Sequence, residues 1–181
     1  MDEPIQSKAA IFIDRDGTLI EEVDFLSRPE DMRVFTFSAQ ALRLFKDQDY
    51  KIIVITNQSG VGRGYFNADD VRSVHEALTA ELPGMIDAFY FCPHHPDDGC
   101  SCRKPSSGMI EQAVEDHDID IANSWIVGDK TLDIETGLNI GVSTALVLTG
   151  YGASHVKDLV RMPDIVADNI LEAARQIISR Y

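Results

Sequence analysis

The stretch Ala9-Ala10-Ile11-Phe12-Ile13-Asp14-Arg15-Asp16-Gly17-Thr18 decides the fold of this 181-residue chain. Its first five residues form an unbroken apolar run, which is typical of a strand that is buried on both faces of a parallel sheet. The run ends abruptly on acidic residues and a glycine. Because open parallel sheets place their functional groups beyond the carboxyl ends of the strands, we expect Asp14 and Asp16 to belong to a site.

Further apolar runs follow along the chain, and amphipathic patterns separate them. The runs cover residues 51–55, 88–91, 124–127, 143–148 and 164–167. The helical patterns cover residues 37–48, 68–82, 107–117, 132–139 and 169–179. Regular alternation of strand and helix predicts right-handed crossovers and a doubly wound, mostly parallel α/β sheet. We find no repeat and no linker in the sequence, and we predict a single domain over residues 1–181.

Composition limits the class of protein. Apolar residues make up 44% of the chain and charged residues 25%, as in soluble globular proteins. No apolar run approaches the roughly 20 residues of a membrane helix, and the N-terminus lacks the pattern of a secretory signal, so we expect a cytoplasmic monomer. The net charge of −14 disfavours nucleic acid and anionic membranes as partners. To bind a phosphorylated metabolite against this negative charge, the site would need a metal ion and a few well-placed cationic side chains.

Asp14 and Asp16 lie two residues apart on an extended chain, so both side chains can point the same way. Two such carboxylates repel each other unless a cation lies between them or one is protonated. Mg²⁺ suits the position because it takes oxygen ligands and retains waters or phosphate oxygens. The pair predicts that Asp14 attacks phosphorus to form an aspartyl-phosphate, and that Asp16 acts as general acid and then general base. Taken alone, the pair also fits a capped turn.

Polar residues that suit phosphoryl transfer also follow the second and fourth runs, and Lys104 lies in the loop after the third run. Thr56 offers a hydroxyl and a backbone amide to a phosphoryl group, and Lys104 offers a point charge for developing negative charge. Asp129 follows the fourth run and is predicted to complete a magnesium site, with Asp133 orienting metal-bound water. A helix N-cap is the alternative interpretation of residues 129–133.

These motifs, in this order, resemble those of the haloacid dehalogenase (HAD) superfamily. They are Asp14-Arg15-Asp16-Gly17-Thr18, Thr56-Asn57, Lys104, and Gly128-Asp129 with Asp133. The resemblance covers residues 9–150 and implies a Rossmann-like HAD fold. It also implies Mg²⁺ bound by Asp14, the Asp16 backbone carbonyl and Asp129, with Thr56 and Lys104 holding the phosphoryl group.

All three cysteines of the chain lie between residues 92 and 102. The pattern Cys-x-His-x₅-Cys-x-Cys is formed by Cys92, His94, Cys100 and Cys102. Clustered cysteines in a cytoplasmic chain favour a metal over disulfides, and three thiolates with one imidazole form a closed tetrahedral zinc set. We therefore predict a structural Zn²⁺ in a loop that leads directly into Lys104. His95 is the alternative imidazole ligand, and unrelated free cysteines are the alternative interpretation.

The zinc loop resembles one subgroup of the superfamily, the D-glycero-D-manno-heptose 1,7-bisphosphate 7-phosphatases. Residues 56–64 and 92–96 carry this resemblance, and Ser59 stands where the related histidinol-phosphate phosphatases tend to carry an acidic residue. It implies hydrolysis of the heptose bisphosphate to heptose 1-phosphate, a step of lipopolysaccharide biosynthesis, with histidinol phosphate as the alternative substrate. The substrate-binding residues that it implies are Asn57, Gln58, Ser59, Arg103 and Lys130.

The chain also departs from this subgroup. The acidic-His-Gly-Tyr stretch after the first motif is replaced by Glu22-Val23-Asp24-Phe25, and the loop between His94 and Cys100 is short. Both differences concern substrate contacts and leave the anomer preference open.

The spacing of the motifs bears on what covers the site. The segment between Gly17 and Thr56 is too short for a cap domain, so we expect an open site covered only by loops. Glycine-rich residues 60–64 lack dinucleotide and P-loop spacing, and we interpret them as a mobile loop whose Arg63 approaches the substrate. A catalytically silent, zinc-stabilised binding module is the alternative from another functional class.

Overall fold

A computed structural model describes residues 7–181, and its centre is a six-stranded sheet. The strands are β1 (Lys8–Ile13), β2 (Lys51–Asn57), β3 (Ala88–Cys92), β4 (Ile119–Gly128), β5 (Ser143–Val147) and β6 (Ile165–Ala167). They lie in the order β3-β2-β1-β4-β5-β6, and neighbouring strands run parallel. The doubly wound α/β fold predicted from the sequence is therefore confirmed.

The predicted helices are all present, with small differences at their ends. The α-helices are α1 (Ser38–Asp47), α2 (Ser59–Gly62), α3 (Ala68–Glu81), α4 (Gly108–His117), α5 (Thr131–Ile140), α6 (Gly152–His155) and α7 (Ile170–Ile178). Short 3₁₀ turns cover Pro29–Asp31, Pro96–Asp98 and Val156–Asp158. Helix α3 begins at a capping box, in which Asn67 accepts from the backbone N–H of Asp70 and Asp70 accepts from that of Asn67.

Apolar side chains fill both faces of the sheet. Because successive side chains of a strand point to opposite faces, Ile11 and Ile13 of β1 pack with α1, α3 and α7, whereas Ala10 and Phe12 pack with α4. Both faces of β1 are thus covered, which explains its unbroken apolar sequence. The carboxyl end of this buried strand is a rigid base for the residues that follow it.

Two sequence expectations need correction. The predicted fourth strand began at residue 124, but β4 begins at Ile119, because residues 119 and 120 pair with Lys8 and Ala9 across a register shift. Glycine-rich residues 60–64 are not simply a mobile loop, since α2 occupies their first half. A Cβ atom at Gly62 would overlap the backbone of His94 and His95, so α2 packs closely against the predicted zinc loop.

The segment between β1 and β2 contains one 3₁₀ turn and α1, and no cap domain interrupts the described part of the chain. None of the helices within residues 7–181 has the length and apolar character needed to cross a membrane. The single domain over residues 1–181 remains a prediction. The N-terminal residues behind the expectation of no secretory signal lie outside the described residues.

Candidate active site

The carboxyl ends of β1, β2 and β4 bring Asp14, Thr56 and Asp129 to one edge of the sheet. The backbone N–H of Asp14 donates to the carbonyl of Val127 at 3.0 Å, which ties the first motif to β4. Gly17 turns the chain with φ of 84°, in the left-handed region that favours glycine. A Cβ atom there would overlap the carboxylate of Asp129, so this close approach also requires glycine.

Lys104 is 3% exposed and lies at the centre of the cluster. Its Nζ donates to Asp14 Oδ1 at 2.7 Å, to Asp133 Oδ1 at 2.7 Å and to the backbone carbonyl of Ile55 at 3.0 Å. Burial alone would lower the pKa of Lys104, but the charges of Asp133 and Asp14 outweigh burial and raise this pKa. Lys104 is therefore a fixed cation beside Asp14.

Asp14 is held in its charged form by these neighbours. Burial alone would raise the pKa of its carboxyl, but Lys104 and then Lys130 lower that pKa below its usual value. An ionised carboxylate with restricted orientation is the form required of an oxygen nucleophile.

The carboxylates of Asp14, Asp129 and Asp133 offer oxygens that all lie within 4.8 Å of one another. Asp129 is fully buried, and its Oδ1 has no hydrogen-bond partner among the described residues. Burial and then the charge of Asp14 raise the pKa of Asp129 to about 8. Three carboxylates share this pocket with the Lys104 ammonium, and Lys130 Nζ lies 3.9 Å from Asp129 Oδ1, so acidic groups outnumber the cations beside them. Hard oxygen ligands of this kind fit Mg²⁺.

Asp133 contacts both Lys104 and the start of α5. Its Oδ1 accepts from Lys104, and its Oδ2 accepts from the backbone N–H of Lys130 at 3.0 Å, at the start of α5. Both oxygens are thus engaged by donors of the protein. These contacts support a role in holding Lys104 and in capping α5. The predicted role of Asp133 in orienting metal-bound water stays a prediction.

The carboxylate of Asp16 lies between three donor side chains at the mouth of the site. Arg15 donates Nε to Oδ2 and Nη2 to Oδ1, both at 3.1 Å. Gln58 Nε2 donates to Oδ2 at 3.0 Å, and the Thr56 hydroxyl approaches the same oxygen at 3.4 Å. Thr56 and Gln58 are also joined by a 2.8 Å hydrogen bond, so they and Asp16 form one network.

The side-chain amide of Asn57 makes two hydrogen bonds with the backbone of Lys104. Its Oδ1 accepts from the N–H of Lys104 at 3.0 Å, and its Nδ2 donates to the carbonyl of the same residue at 3.2 Å. This reciprocal pair fixes the Lys104 loop to the end of β2. Asn57 was predicted to bind substrate; its amide group makes these two hydrogen bonds, and its role in substrate binding stays a prediction.

A cleft of about 250 Å³ opens beside Asp16. The predicted substrate residues that line it are Asn57, Gln58, Ser59, Arg103 and Lys130. Lys130 Nζ donates to Glu22 Oε2 at 3.0 Å and lies 5.0 Å from the centre of the Tyr151 ring. Two cations, Lys130 and Arg103, thus face a cavity large enough for a small phosphorylated molecule.

The four predicted zinc ligands meet in a single cluster. Contacts of 3.2 to 3.6 Å join Cys92, His94, Cys100 and Cys102, through the Nδ1 atom of His94. The three thiols are free, and the sulfur–sulfur separations of 3.5 and 3.6 Å approach the edge of about 3.8 Å expected for tetrahedral zinc thiolates. His95 points elsewhere, because its Nδ1 accepts from the N–H of Asp97.

Comparison with known proteins was made for the whole chain. A model of the HAD-hydrolase-like family matches residues 101–173. A D-glycero-D-manno-heptose-1,7-bisphosphate 7-phosphatase of Thermosynechococcus vestitus is 35% identical over 187 aligned positions, which cover 94% of this chain and 95% of the relative. The chain belongs to the D-glycero-D-manno-heptose-1,7-bisphosphate 7-phosphatase family.

Other members of this heptose-bisphosphate phosphatase family agree in sequence and structure. The D-glycero-beta-D-manno-heptose-1,7-bisphosphate 7-phosphatase of Haemophilus ducreyi is 33% identical, over 91% of this chain and 96% of the relative. The crystal structure of D,D-heptose 1,7-bisphosphate phosphatase from B. bronchiseptica, complexed with magnesium and phosphate, superposes with a TM-score of 0.88. It is 31% identical, and the match covers 96% of this chain and 99% of that chain.

Two residues at the candidate site of this chain, Tyr151 and Glu22, were not predicted from the sequence. The N–H of Tyr151 donates to Asp129 Oδ2 at 2.8 Å, while Glu22 binds Lys130. Tyr151 follows the end of β5, and this position on the same edge of the sheet was the signal that could have found it. Glu22 was noticed only as a departure from the family, since no local pattern pairs it with a lysine 108 positions away.

Proposed function

We propose that this chain is a magnesium-dependent phosphatase that removes the C7 phosphate of D-glycero-D-manno-heptose 1,7-bisphosphate through an aspartyl-phosphate. The observation that carries the proposal is the buried Lys104 ammonium, which binds Asp14 and Asp133 at 2.7 Å beside the free oxygen of Asp129. This arrangement provides an ionised nucleophile, a fixed cation and a vacant ligand oxygen within one small pocket. The family relationship supports the substrate.

In the first step, an oxygen of Asp14 forms a bond to phosphorus while the bond from phosphorus to the sugar oxygen breaks. Asp16 gives a proton to that leaving oxygen. Lys104 and the Thr56 hydroxyl lie beside the pocket and stabilise the charge of the transferring group. In the second step, Asp16 takes a proton from water, which attacks phosphorus, releases phosphate and restores Asp14.

Asp14, the backbone carbonyl of Asp16 and Asp129 would hold Mg²⁺. When bound, this ion neutralises charge on the phosphoryl oxygens and on the buried carboxylates. The unpartnered Oδ1 of Asp129 and the raised pKa of its carboxyl support this assignment.

The second phosphate of the substrate is proposed to contact Arg103, Ser59 and Lys130 in the cleft. Arg103 Nη1 is buried and has no hydrogen-bond partner in the described part of the chain, so the guanidinium retains capacity for an anion. A planar guanidinium matches the geometry of phosphate oxygens. These local cations offset the net charge of −14.

We propose that Cys92, His94, Cys100 and Cys102 hold a structural Zn²⁺. The loop that carries them ends at Lys104, and its Ser101 carbonyl accepts from the N–H of Gly108 at the start of α4. A metal with four protein ligands has no open position for chemistry. It would fix the segment that delivers Arg103 and Lys104 to the site.

A kinetic comparison tests the substrate. Values of kcat/KM are measured with the α- and β-anomers of heptose 1,7-bisphosphate and with histidinol phosphate, and the sugar product is identified by phosphorus NMR. We expect preference for a heptose bisphosphate and formation of heptose 1-phosphate. Preference for histidinol phosphate, or release of the C1 phosphate, would overturn the assignment. The monomeric state and cytoplasmic location remain predictions.

A further inference from the structure

Arg15 is a fully buried arginine in the turn between Asp14 and Asp16. Its backbone carbonyl accepts from the N–H groups of Leu19 and Ile20 at 3.0 and 3.2 Å, which fixes the turn. A buried guanidinium is costly unless it is paired. Within residues 7–181 its ion-pair partner is Asp16, at 3.0 Å, so the cost is offset by this carboxylate.

The two hydrogen bonds between these side chains form a fork. Nε binds Oδ2 and Nη2 binds Oδ1, each at 3.1 Å, and Nη2 also lies 3.0 Å from Oδ2, so two guanidinium nitrogens hold both carboxylate oxygens of Asp16. The other donors to Asp16, Gln58 and Thr56, both reach Oδ2. Oδ1 therefore has Arg15 as its donor, and without the fork the carboxylate could rotate about χ2.

The charge of Arg15 also acts on the buried ring of His75. Nη1 has no hydrogen-bond partner in the described structure, and neither has Nε2 of His75, which is 6% exposed and stacks on Phe89 with ring centres 4.4 Å apart. Burial and then the charge of Arg15 lower the pKa of His75 to about 3, so its ring is neutral near pH 7. Asp16 is thus the charged partner that Arg15 has among the described residues.

We propose that Arg15 is a positioning residue that aims the Asp16 carboxyl group at the leaving oxygen of the substrate. The proposal rests on the proposed function. In the ionised form both Asp16 oxygens accept from Arg15; when one oxygen carries the proton, the other still accepts. Proton transfer requires the donor and acceptor atoms to lie within hydrogen-bond distance. Loss of the Asp16 orientation therefore slows protonation of the leaving oxygen more than it weakens substrate binding.

The dependence on leaving group separates this role from a structural one. Alkyl phosphates, including heptose bisphosphate and β-glycerophosphate, need a proton on the departing oxygen, whereas 2,4-dinitrophenyl phosphate does not. Values of kcat/KM are measured for both classes of substrate. This constant reports only on the steps up to and including phosphorylation of Asp14, which is where the leaving group departs. The ratio of the two values on one preparation does not depend on the fraction of folded enzyme.

For Arg15→Met we expect kcat/KM to fall on the order of 100-fold with alkyl phosphates and less than about 3-fold with 2,4-dinitrophenyl phosphate. Arg15→Lys keeps the charge but not the fork, and we expect an intermediate change of the ratio. Asp16→Asn should show the same selectivity, and adding Arg15→Met to it should change the ratio no further. The exposed Arg43 provides a matched control, since Arg43→Met should leave both constants unchanged.

Equal losses with both classes of substrate, or no loss, would overturn the role of Arg15. If Arg15→Met does not accumulate as folded protein, Arg15→Lys decides by the same ratio, and an unchanged ratio overturns the proposal. A wild-type enzyme that hydrolyses β-glycerophosphate but not heptose bisphosphate contradicts only the proposed substrate. A wild-type enzyme that hydrolyses no phosphomonoester overturns both proposals.

Discussion

At the scale of single residues, the site is a balance of buried charges. Asp14, Asp129 and Asp133 lie close together, and Lys104 contributes one positive charge among them. Each buried charge depends on its neighbours, because an unpaired ion in a protein interior costs several kcal/mol. Function and stability are therefore linked at these positions, and the consequences can be tested one residue at a time.

Asp14→Asn should abolish phosphatase activity, because an amide cannot act as the oxygen nucleophile. Lys104 retains Asp133 as a partner, so the fold should persist. Steady-state turnover and far-UV circular dichroism of the purified variant test these expectations. Near-normal turnover would contradict the proposed mechanism.

Asp129→Asn should change stability in opposite directions with and without magnesium. In EDTA near pH 7.5 the variant should be about 1–2 kcal/mol more stable than wild type, because folding buries the Asp129 carboxyl beside Asp14, and the raised pKa makes it take up a proton that the unfolded chain does not bind at this pH. With Mg²⁺ in excess, wild type should gain stability through binding and the variant should gain much less. Urea unfolding under both conditions provides the measurement. An equal gain in both proteins would refute magnesium binding by Asp129.

At the scale of elements, the loop after β3 carries both the proposed zinc ligands and Lys104 of the candidate active site. Cys92 ends β3, while Cys102 precedes Arg103 and Lys104 directly. Helix α2 packs on the same loop through Gly62. A metal ion bound at the cysteines would thus be linked mechanically to the position of Lys104.

Replacing Cys100 and Cys102 together by serine should remove one tightly held zinc ion per chain. Without the metal, the loop loses its cross-link and Lys104 its fixed position, so activity should fall along with thermal stability. Elemental analysis of wild type and variant measures the zinc content, and the absence of zinc from wild type would contradict this prediction. Ser106→Ala, in the same segment but outside the cluster, should keep the ion.

Helix α3 should introduce a pH dependence through His75. The pKa of His75 is about 3 in the folded protein, below its ordinary value of 6.5, because of burial and then the charge of Arg15. Between these two values the unfolded chain binds a proton that the folded chain does not, so stability falls as pH decreases. The slope is about 1.4 kcal/mol per pH unit for this group.

Comparing wild type with His75→Leu isolates this contribution. The difference in unfolding free energy should be constant above pH 7 and should shift in favour of the variant from pH 6.5 towards pH 4. Urea denaturation across this range measures it. A difference that does not vary with pH would show that His75 is not held neutral by its surroundings.

At the scale of the whole molecule, the fold follows from patterns that a sequence displays directly. Each face of β1 is covered, so its apolar run is unbroken, and the polar residues at strand ends meet because parallel strands end at one edge. The start of β4 was missed because Asp120 and Asn123 interrupt the apolar run, and residues 120–123 are partly or fully exposed. The first residues of such a strand are extended because they pair with the neighbouring strand β1, and their own composition does not reveal this.

The candidate site was predictable in part for the same reason. Asp14, Thr56, Lys104 and Asp129 belong to motifs, whereas Glu22 and Tyr151 reach the site through contacts between distant segments. The contacts of Asp133 and Asn57 also depend on side-chain direction, which spacing along a chain does not specify.

The central claim is that phosphate passes through a covalent bond to Asp14. Asp16→Asn treated with 2,4-dinitrophenyl phosphate should form this bond without needing a general acid, and should hydrolyse it slowly without a general base. Mass spectrometry of the rapidly quenched protein is expected to find one phosphoryl group on the peptide that contains Asp14, and none in Asp14→Asn. Nitrophenolate release with no phosphoryl group on the protein, or with the group on another residue, would contradict the claim.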